Sequence, residues 1–345
     1  MSRHSNIRRL SQAALSRSEF IRLAAGALLL PLVGLRFPAA AAGPNTQSAQ
    51  NSGAPEIKDA AAMKNADLQW DVFVTPGIPI ISSDLPPPGE KQRTWSPISS
   101  TLIYGQRDAV LVDAFMTVDQ ARTLVDWVVA HDRNVTTIYA THGHGDHVFG
   151  AGMVLDRFPK ARFVATHDVV KFMRQQASPQ VLASFWNRRF PGQIPEHLVM
   201  AEELSGNVLE LEGHDLVVVP LGHTDTDNTT CLHVPSVGLV VAGDAAYNGV
   251  HLHLAESNPQ TRREWIAALD TIEALKPRAV IAGHKRPGSD DNPRIIEETR
   301  QYIRDFDRIA ETTSTAMELY QQMLALYPDR MNVTTLWNSA RVVKG

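Results

Sequence analysis

The chain has 345 residues, of which 43% are hydrophobic and 20% are charged, a balance typical of globular proteins. Its net charge is −4, and residues 1–42 contribute six arginines against Glu19, so the remainder carries −9. An acidic chain without a basic stripe argues against nucleic acid as a partner. The single cysteine, Cys231, excludes an intramolecular disulfide.

Residues 1–42 are predicted to be an export signal, because arginines precede an apolar run from Leu23 to Leu35 and the small residues AAAAG. The run is shorter than the ~20 residues that span a bilayer, so we expect no stable membrane anchor. A disordered tail is the alternative. The segment SRSEFIRLAAG is similar to a twin-arginine signal, but Ser18 replaces the second arginine, which leaves the general secretory route open. We expect an exported, periplasmic protein.

Residues 43–66 are small and polar and are predicted to be a linker, so the catalytic domain is expected over 67–290. After a first strand in WDVFVTPGIPIIS, the segment DLPPPGEKQRTWSP is predicted to be a loop bordering the active site. STLIYG and AVLVDA flank a turn at Gln106-Arg107-Asp108 and predict a hairpin. Thr117 and Gln120 form a predicted capping box at the start of the next helix.

Strands and helices then alternate: the strand TTIYAT, a helix at about 149–158, the strand ARFVAT and the helix HDVVKFMRQQ. Residues 178–205 interrupt this order with three aromatic residues and three prolines. They are interpreted as a lid-like insertion that shapes the substrate pocket, with core packing as the alternative.

Four strands follow, NVLELEG, HDLVVVPL, TTCLHVP and GLVVAGD, and are predicted to be antiparallel. Thr261 and Glu264 predict another capping box, at the start of a helix that ends before Pro277 and the strand RAVIAGH. Amphipathic helices at about 293–310 and 312–326 form a predicted C-terminal helical extension over 291–345.

The stretch THGHGDH, from Thr141 to His147, directly follows an apolar strand and alternates possible metal ligands with glycines. Glycine tolerates left-handed backbone conformations, so we expect the glycines to let the ligands converge. Imidazole and carboxylate suit zinc, with iron and manganese as competitors. Three more polar residues end apolar strands, namely His223, Asp244 and His284. They are candidate ligands, with capping roles as the alternative.

Other histidines are assigned no ligand role. His131, His167, His197 and His233 are predicted to be structural. His251 and His253 are predicted to be surface residues, with lining of the pocket as the alternative. Cys231 lies in mid-strand and is predicted to be buried and apolar in role rather than a ligand.

From these motifs the chain resembles the metallo-β-lactamase fold superfamily, which includes glyoxalase II, lactonases and flavodiiron proteins. The resemblance covers about Leu68 to Pro287 and implies a four-layered αβ/βα sandwich, an α/β (α+β) fold. It further implies two metal ions, a first bound by His142, His144 and His223, a second bound by Asp146, His147 and His284, with Asp244 bridging and Asp113 supporting the ligands.

An aspartate at position 244 argues against the β-lactamase branches, where cysteine or serine is common, and is shared with glyoxalase II and lactonases. We therefore predict an exported dinuclear zinc hydrolase in which two Zn²⁺ share a hydroxide that cleaves a small ester, lactone, thioester or amide. Asp146 is predicted to pass a proton to the leaving group, and Tyr247 to donate to the oxyanion or pack on the sheet edge.

Other functions remain open on the same residues. A β-lactamase is the alternative among hydrolases, and an iron-dependent oxidoreductase is the alternative of another class. A nuclease, disfavoured by the acidic chain, and a metal-dependent binding protein without turnover are further alternatives. A small-molecule substrate is expected, and the sequence carries no signal for the oligomeric state.

Overall fold

Two β-sheets form the centre of the protein, which a computed structural model describes over residues 67–345. The predicted export signal and linker lie outside the described residues. The first sheet has the order β1-β2-β3-β4-β5-β6, antiparallel from β1 to β3 and parallel from β3 to β6. Its strands are β1 (Gln69–Thr75), β2 (Ile98–Tyr104), β3 (Asp108–Val112), β4 (Asn134–Tyr139), β5 (Arg162–Ala165) and β6 (Glu202–Glu203).

The second sheet has the order β11-β10-β9-β8-β7 and is antiparallel except between β10 and β11, which are parallel. Its strands are β7 (Val208–Leu211), β8 (His214–Gly222), β9 (Thr229–Val234), β10 (Leu239–Asn248) and β11 (Ala279–Lys285). The predicted antiparallel set is confirmed, as is the hairpin of β2 and β3.

Helices cover the outer faces of both sheets. Those of the first half are α1 (Val118–Ala130), α2 (Gly145–Val148), α3 (Ala151–Arg157), α4 (His167–Gln176), α5 (Pro179–Val181) and α6 (Asn187–Arg189), with a π-helical turn at Leu182–Trp186 between the last two. Those of the second half are α7 (Pro259–Ala274), α8 (Ile295–Thr312), α9 (Ala316–Leu326) and α10 (Val333–Lys344). Among the described helices, none is long and apolar enough to cross a membrane.

Three apolar clusters separate four layers. In β3, Leu111 points toward the helices of the first half, whereas Val110 and Val112 pack against the second sheet. This alternation follows from the two-residue period of a strand. Helices α7 to α10 form the third cluster with β10, through residues such as Trp265 and Phe306. The layers are therefore helix, sheet, sheet and helix, which confirms the predicted αβ/βα sandwich.

Two details of the helices differ from the prediction. The capping box at Thr117 and Gln120 is present, but α7 begins earlier than predicted, with Asn258 as the N-cap and Thr261 as its partner. Pro259 is tolerated there because the first turn of a helix needs no N–H donor. Helix α10 was not predicted, because it begins with the β-branched residues VTT, which are weak helix formers. Burial of Leu336 in the core outweighs this low helix propensity.

His251 is buried, so its predicted place on the surface is wrong. Its Nδ1 lies 3.0 Å from the hydroxyl of Tyr302. Burial, helped by the positive charge of Arg330, lowers the pKa of His251 to about 3. An unfolded histidine binds a proton near pH 6.5, so the unfolded state takes up more protons between these values. Stability contributed by neutral His251 is complete above pH 6.5 and is lost as the pH falls toward 3.

We expect His251→Asn to reduce the acid sensitivity of the fold, because the amide can keep a bond to Tyr302 and does not titrate. As the pH falls below 6.5, the free energy of unfolding should decrease more steeply in the wild type than in the variant. The difference in slope should be up to about 1.4 kcal/mol per pH unit. Urea unfolding curves at pH 7 and pH 5 measure the difference. Equal losses in the two proteins would show that His251 does not contribute.

Candidate metal centre

The candidate ligands from both sheets meet at one place, although Asp244 does not end its strand as predicted: it lies inside β10, where the pairing with β11 is irregular between Gly243 and Tyr247. His142 follows β4, while His144, Asp146 and His147 lie at the start of α2. From the second sheet, His223 follows β8, Asp244 lies in β10 and His284 lies in β11. Among these seven residues only His144 is more than 9% exposed, and its side chain is 12% exposed. The structure thus brings two distant parts of the chain to one buried site.

The glycines of the THGHGDH loop are needed because they lack a side chain, and not because their backbone is left-handed. Neither Gly143 nor Gly145 has a positive φ, so the predicted reason is wrong. A Cβ on Gly143 would lie 2.8 Å from the backbone nitrogen of Met173, and one on Gly145 would lie 2.5 Å from the ring of Phe149. Glycine therefore lets α4 and the aromatic residues approach the ligand loop closely.

Each of the five candidate histidine ligands has one ring nitrogen, here called the outer nitrogen, beside a polar partner. The other ring nitrogen is called the inner nitrogen. The distances are 3.0 Å from His142 Nδ1 to Thr141 Oγ1, 3.5 Å from His144 Nε2 to Glu256 Oε1, 3.0 Å from His147 Nδ1 to Asp113 Oδ2, 2.7 Å from His223 Nδ1 to Asp227 Oδ1 and 2.8 Å from His284 Nδ1 to the carbonyl of Pro97. Partners of this kind fix the orientation of metal-binding imidazoles.

The inner nitrogens show whether the site fits a metal. His142 Nε2, His147 Nε2 and His223 Nε2 are buried without a hydrogen-bond partner, as is Asp244 Oδ1. Buried polar atoms are normally paired, so unpaired ones need an explanation. Deprotonated imidazole and carboxylate are donors for Zn²⁺ and similar ions. The residues present therefore fit divalent metal ions.

Asp244 stands between the two halves of the ligand set. Its Oδ2 lies 3.1 Å from His284 Nε2 and 3.9 Å from His142 Nε2, and its Oδ1 lies 3.3 Å from His147 Nε2. Its neighbour Gly243 has φ +53, and a Cβ there would lie 2.5 Å from Thr141 Oγ1. The carboxylate is placed to contact groups from both predicted ion sites.

Over residues 67–345, three groups of possible ligands each have their ligand atoms within 4.8 Å of one another: His142, His144, Asp225 and Asp244; Asp113, His142 and His147; and Asp146, His147 and His284. His223 belongs to none of these groups, although its Nε2 is buried and unpaired. Sequence reasoning did not identify Asp225, Asp227, Glu256 or Trp95. Only Asp225 and Asp227 had a signal, the acidic residues of HTDTD directly after His223.

Asp113 and Tyr247 each hydrogen-bond to a candidate ligand. Asp113 Oδ1 accepts from the backbone nitrogen of Thr141 at 2.9 Å, and its Oδ2 faces His147. The Tyr247 hydroxyl donates to Asp244 Oδ2 at 3.1 Å. Burial first, and then the charge of Asp244, raises the pKa of Tyr247 well above 10, so the phenol stays protonated. Its predicted role toward an oxyanion stays a prediction.

Imidazoles and carboxylates of the centre shift each other's pKa values. Burial alone would lower the pKa of His147, but the charges of Asp244 and Asp146 outweigh it and hold that pKa well above 6.5. Burial would raise the pKa of Asp244, but His284 and His147 hold it well below 3.8. Because the pKa of His147 is raised, a metal ion that binds this imidazole should displace a proton.

The remaining histidines lie outside the ligand groups. His131 contacts Asp71, and His167 contacts Glu203 on the surface. His253 lies beside the site, with its ring 6.3 Å from that of His144. Cys231 is buried in β9, as predicted, and burial raises the pKa of its thiol to about 12.

Trp95 connects the proline-rich loop to the second predicted ion site. Its indole nitrogen donates to Asp146 Oδ2 at 2.9 Å. Its ring packs 5.5 Å from Trp186 and Phe190 and 6.3 Å from Phe185, all from the 178–205 segment. The segment predicted to be lid-like therefore supports a residue that holds a candidate ligand.

We expect Trp95→Phe to weaken binding of the second ion by about 10–100-fold, because the donor that orients Asp146 is lost while the aromatic packing is kept. Metal competition with a chromophoric chelator measures the affinity. Phe185→Leu removes a ring contact but no hydrogen bond and should change the affinity far less. Unchanged metal affinity in Trp95→Phe would contradict the orienting role.

Comparison with known proteins identifies the family of this fold. The model of the metallo-beta-lactamase superfamily matches residues 93–284. A metallo-beta-lactamase family protein from Thermus thermophilus is similar in structure, with 20% identity, a TM-score of 0.54 and coverage of 79% of this chain and 91% of that one. The structure of VMB-1 at pH 5.5 has 16% identity, a TM-score of 0.50 and coverage of 69% and 93%. No curated protein matches significantly. The chain belongs to the metallo-beta-lactamase superfamily.

Proposed function

We propose that the protein is an exported dinuclear zinc hydrolase that cleaves a small ester, lactone, thioester or amide. The observation that carries this proposal is that the buried, unpaired Nε2 atoms of His142 and His147 lie 3.9 and 3.3 Å from the carboxylate of Asp244. Two divalent ions bound by His142, His144 and His223 and by Asp146, His147 and His284, with Asp244 between them, would activate water and polarise a carbonyl oxygen.

Asp113 and Tyr247 position candidate ligands, and Asp146 is proposed to transfer a proton. Asp146 Oδ2 lies 3.8 Å from His147 Nε2 and 3.6 Å from His284 Nε2, and it accepts from Trp95. Oδ1 of Asp146 is then the oxygen that can take a proton from the attacking water and pass it to the leaving group. Tyr247 donates to Asp244 and limits its rotation, and Asp113 does the same for His147.

The surroundings of the site support a small substrate with an apolar part. Trp95 and Phe185 lie on the side of Asp146, and Phe172 lies on the side of His144 with its ring 5.4 Å away. Aromatic side chains of this kind exclude water and bind apolar groups, while the polar ligands orient the bond to be cleaved. Export by residues 1–42 remains part of the proposal.

A substrate panel tests the proposal. The protein loaded with Zn²⁺ is assayed against lactones, aryl esters, thioesters and the β-lactam nitrocefin, and we expect turnover of at least one of the first three. Turnover of nitrocefin alone would make the protein a β-lactamase instead. A metal content dominated by iron, together with oxygen consumption, would replace hydrolysis by an oxidoreductase function.

A further inference from the structure

The loop between β8 and β9 carries a carboxylate that the predicted ligand set did not include. Asp225 is fully buried. Its Oδ1 accepts from the hydroxyl of Thr224 at 3.1 Å, and its Oδ2 has no hydrogen-bond partner. The Thr224 hydroxyl also contacts Thr229 at 3.0 Å, which ties the loop to the start of β9. The loop therefore holds one oxygen of Asp225 in place and leaves the other facing the centre.

Oδ2 of Asp225 lies close to ring nitrogens of two candidate ligands. Asp225 Oδ2 is 3.0 Å from His144 Nδ1 and 4.0 Å from His142 Nε2, and it shares one group of ligand atoms with Asp244. The other nitrogen of His144 faces Glu256. An imidazole nitrogen and a carboxylate oxygen at this separation can bind one cation together. A cation bound by His144 Nδ1 would therefore also meet Asp225 Oδ2.

We propose that Asp225 is a ligand of the first metal ion, which gives the centre a third carboxylate beside Asp146 and Asp244. This inference rests on the metal centre of the proposed function and is independent of the substrate. Harder oxygen donors favour manganese and iron relative to zinc more than an all-histidine set does. Asp225 would therefore also shift the metal preference of the first site.

Asp227, two residues further along the same loop, is the natural comparison. It contacts the outer nitrogen of His223, and its side chain is 80% exposed, whereas the side chain of Asp225 is 1% exposed. Asp227 thus occupies the position of an orienting partner, and Asp225 occupies the position of a ligand. The two residues make opposite predictions for a probe that reports direct bonds to the metal.

The test places a thiol at each position and loads the protein with Co²⁺. Asp225→Cys should show a thiolate-to-cobalt charge-transfer band in the near ultraviolet, because the thiolate binds the ion directly. Asp227→Cys and the wild type, whose Cys231 is buried in β9, should show none. Two bound Co²⁺ per chain without this band in Asp225→Cys would overturn the proposal, whether or not the protein hydrolyses any substrate.

An isosteric variant provides a second measurement if the cysteine variant does not fold. Asp225→Asn should bind one of two Zn²⁺ at least about tenfold more weakly than the wild type, and its preference for Mn²⁺ over Zn²⁺ should fall. Asp227→Asn should keep the wild-type preference. Wild-type affinity for both ions and an unchanged preference in Asp225→Asn would contradict a ligand role.

Discussion

Replacing Asp244 with alanine is expected to remove one metal ion and to lower kcat/KM by more than about 100-fold, because loss of an orienting partner alone costs about 10–100-fold in such sites. The carboxylate lies within 3.9 Å of His142, His147 and His284. Its loss leaves buried imidazoles without the charge that holds them together. Metal analysis and steady-state kinetics on the best substrate of the panel measure both effects.

Tyr247→Phe is the matched control for Asp244. It removes the hydroxyl that donates to Asp244 Oδ2 but keeps the carboxylate. The variant should retain two ions and lose much less activity than Asp244→Ala. Retention of both ions and of wild-type kcat/KM in Asp244→Ala would show that the bridging assignment is wrong.

Asp113→Ala should have the second large effect, mainly on stability. The buried carboxylate accepts from the nitrogen and hydroxyl of Thr141, each at 2.9 Å, and lies 3.0 Å from His147 Nδ1. Removing it leaves these buried donors unpaired, so we expect a loss of about 3–5 kcal/mol in the free energy of unfolding. Urea unfolding of metal-free protein measures the loss without a contribution from bound ions.

Asp113→Asn separates the backbone effect from the charge. Asp113 has φ +60, a left-handed conformation that asparagine tolerates better than alanine. Asparagine can still accept from the nitrogen of Thr141, so the variant should be more stable than Asp113→Ala but should bind the second ion more weakly than the wild type. Equal stability of Asp113→Ala and the wild type would rule out the supporting role.

Much of the fold and of the site could be predicted from local patterns. His223, Asp244 and His284 each follow an apolar run, which made their proximity to the THGHGDH loop an expectation, although Asp244 lies within β10 and not at its end. The unbroken apolar run of β3 is likewise typical of a strand buried on both faces. These features depend on periodicity and position in the chain, which a sequence contains.

The residues that sequence reasoning missed depend on contacts between distant loops. Trp95 reaches Asp146 from a proline-rich loop, and Glu256 reaches His144 from the loop before α7. No period or spacing places these side chains. Asp225 was visible beside His223, but only the turn after β8 shows that its carboxylate points inward. Loop conformation thus decided the part of the site that pattern could not predict.

The most direct test of the dinuclear centre is a calorimetric titration of the metal-free protein with Zn²⁺ in two buffers of different ionisation enthalpy. It yields the number of bound ions and the number of released protons. We expect two ions per chain and proton release, because the charges of Asp244 and Asp146 hold the pKa of His147 well above 6.5 and a bound ion must displace that proton. Binding of one ion or none, without proton release, would contradict the account.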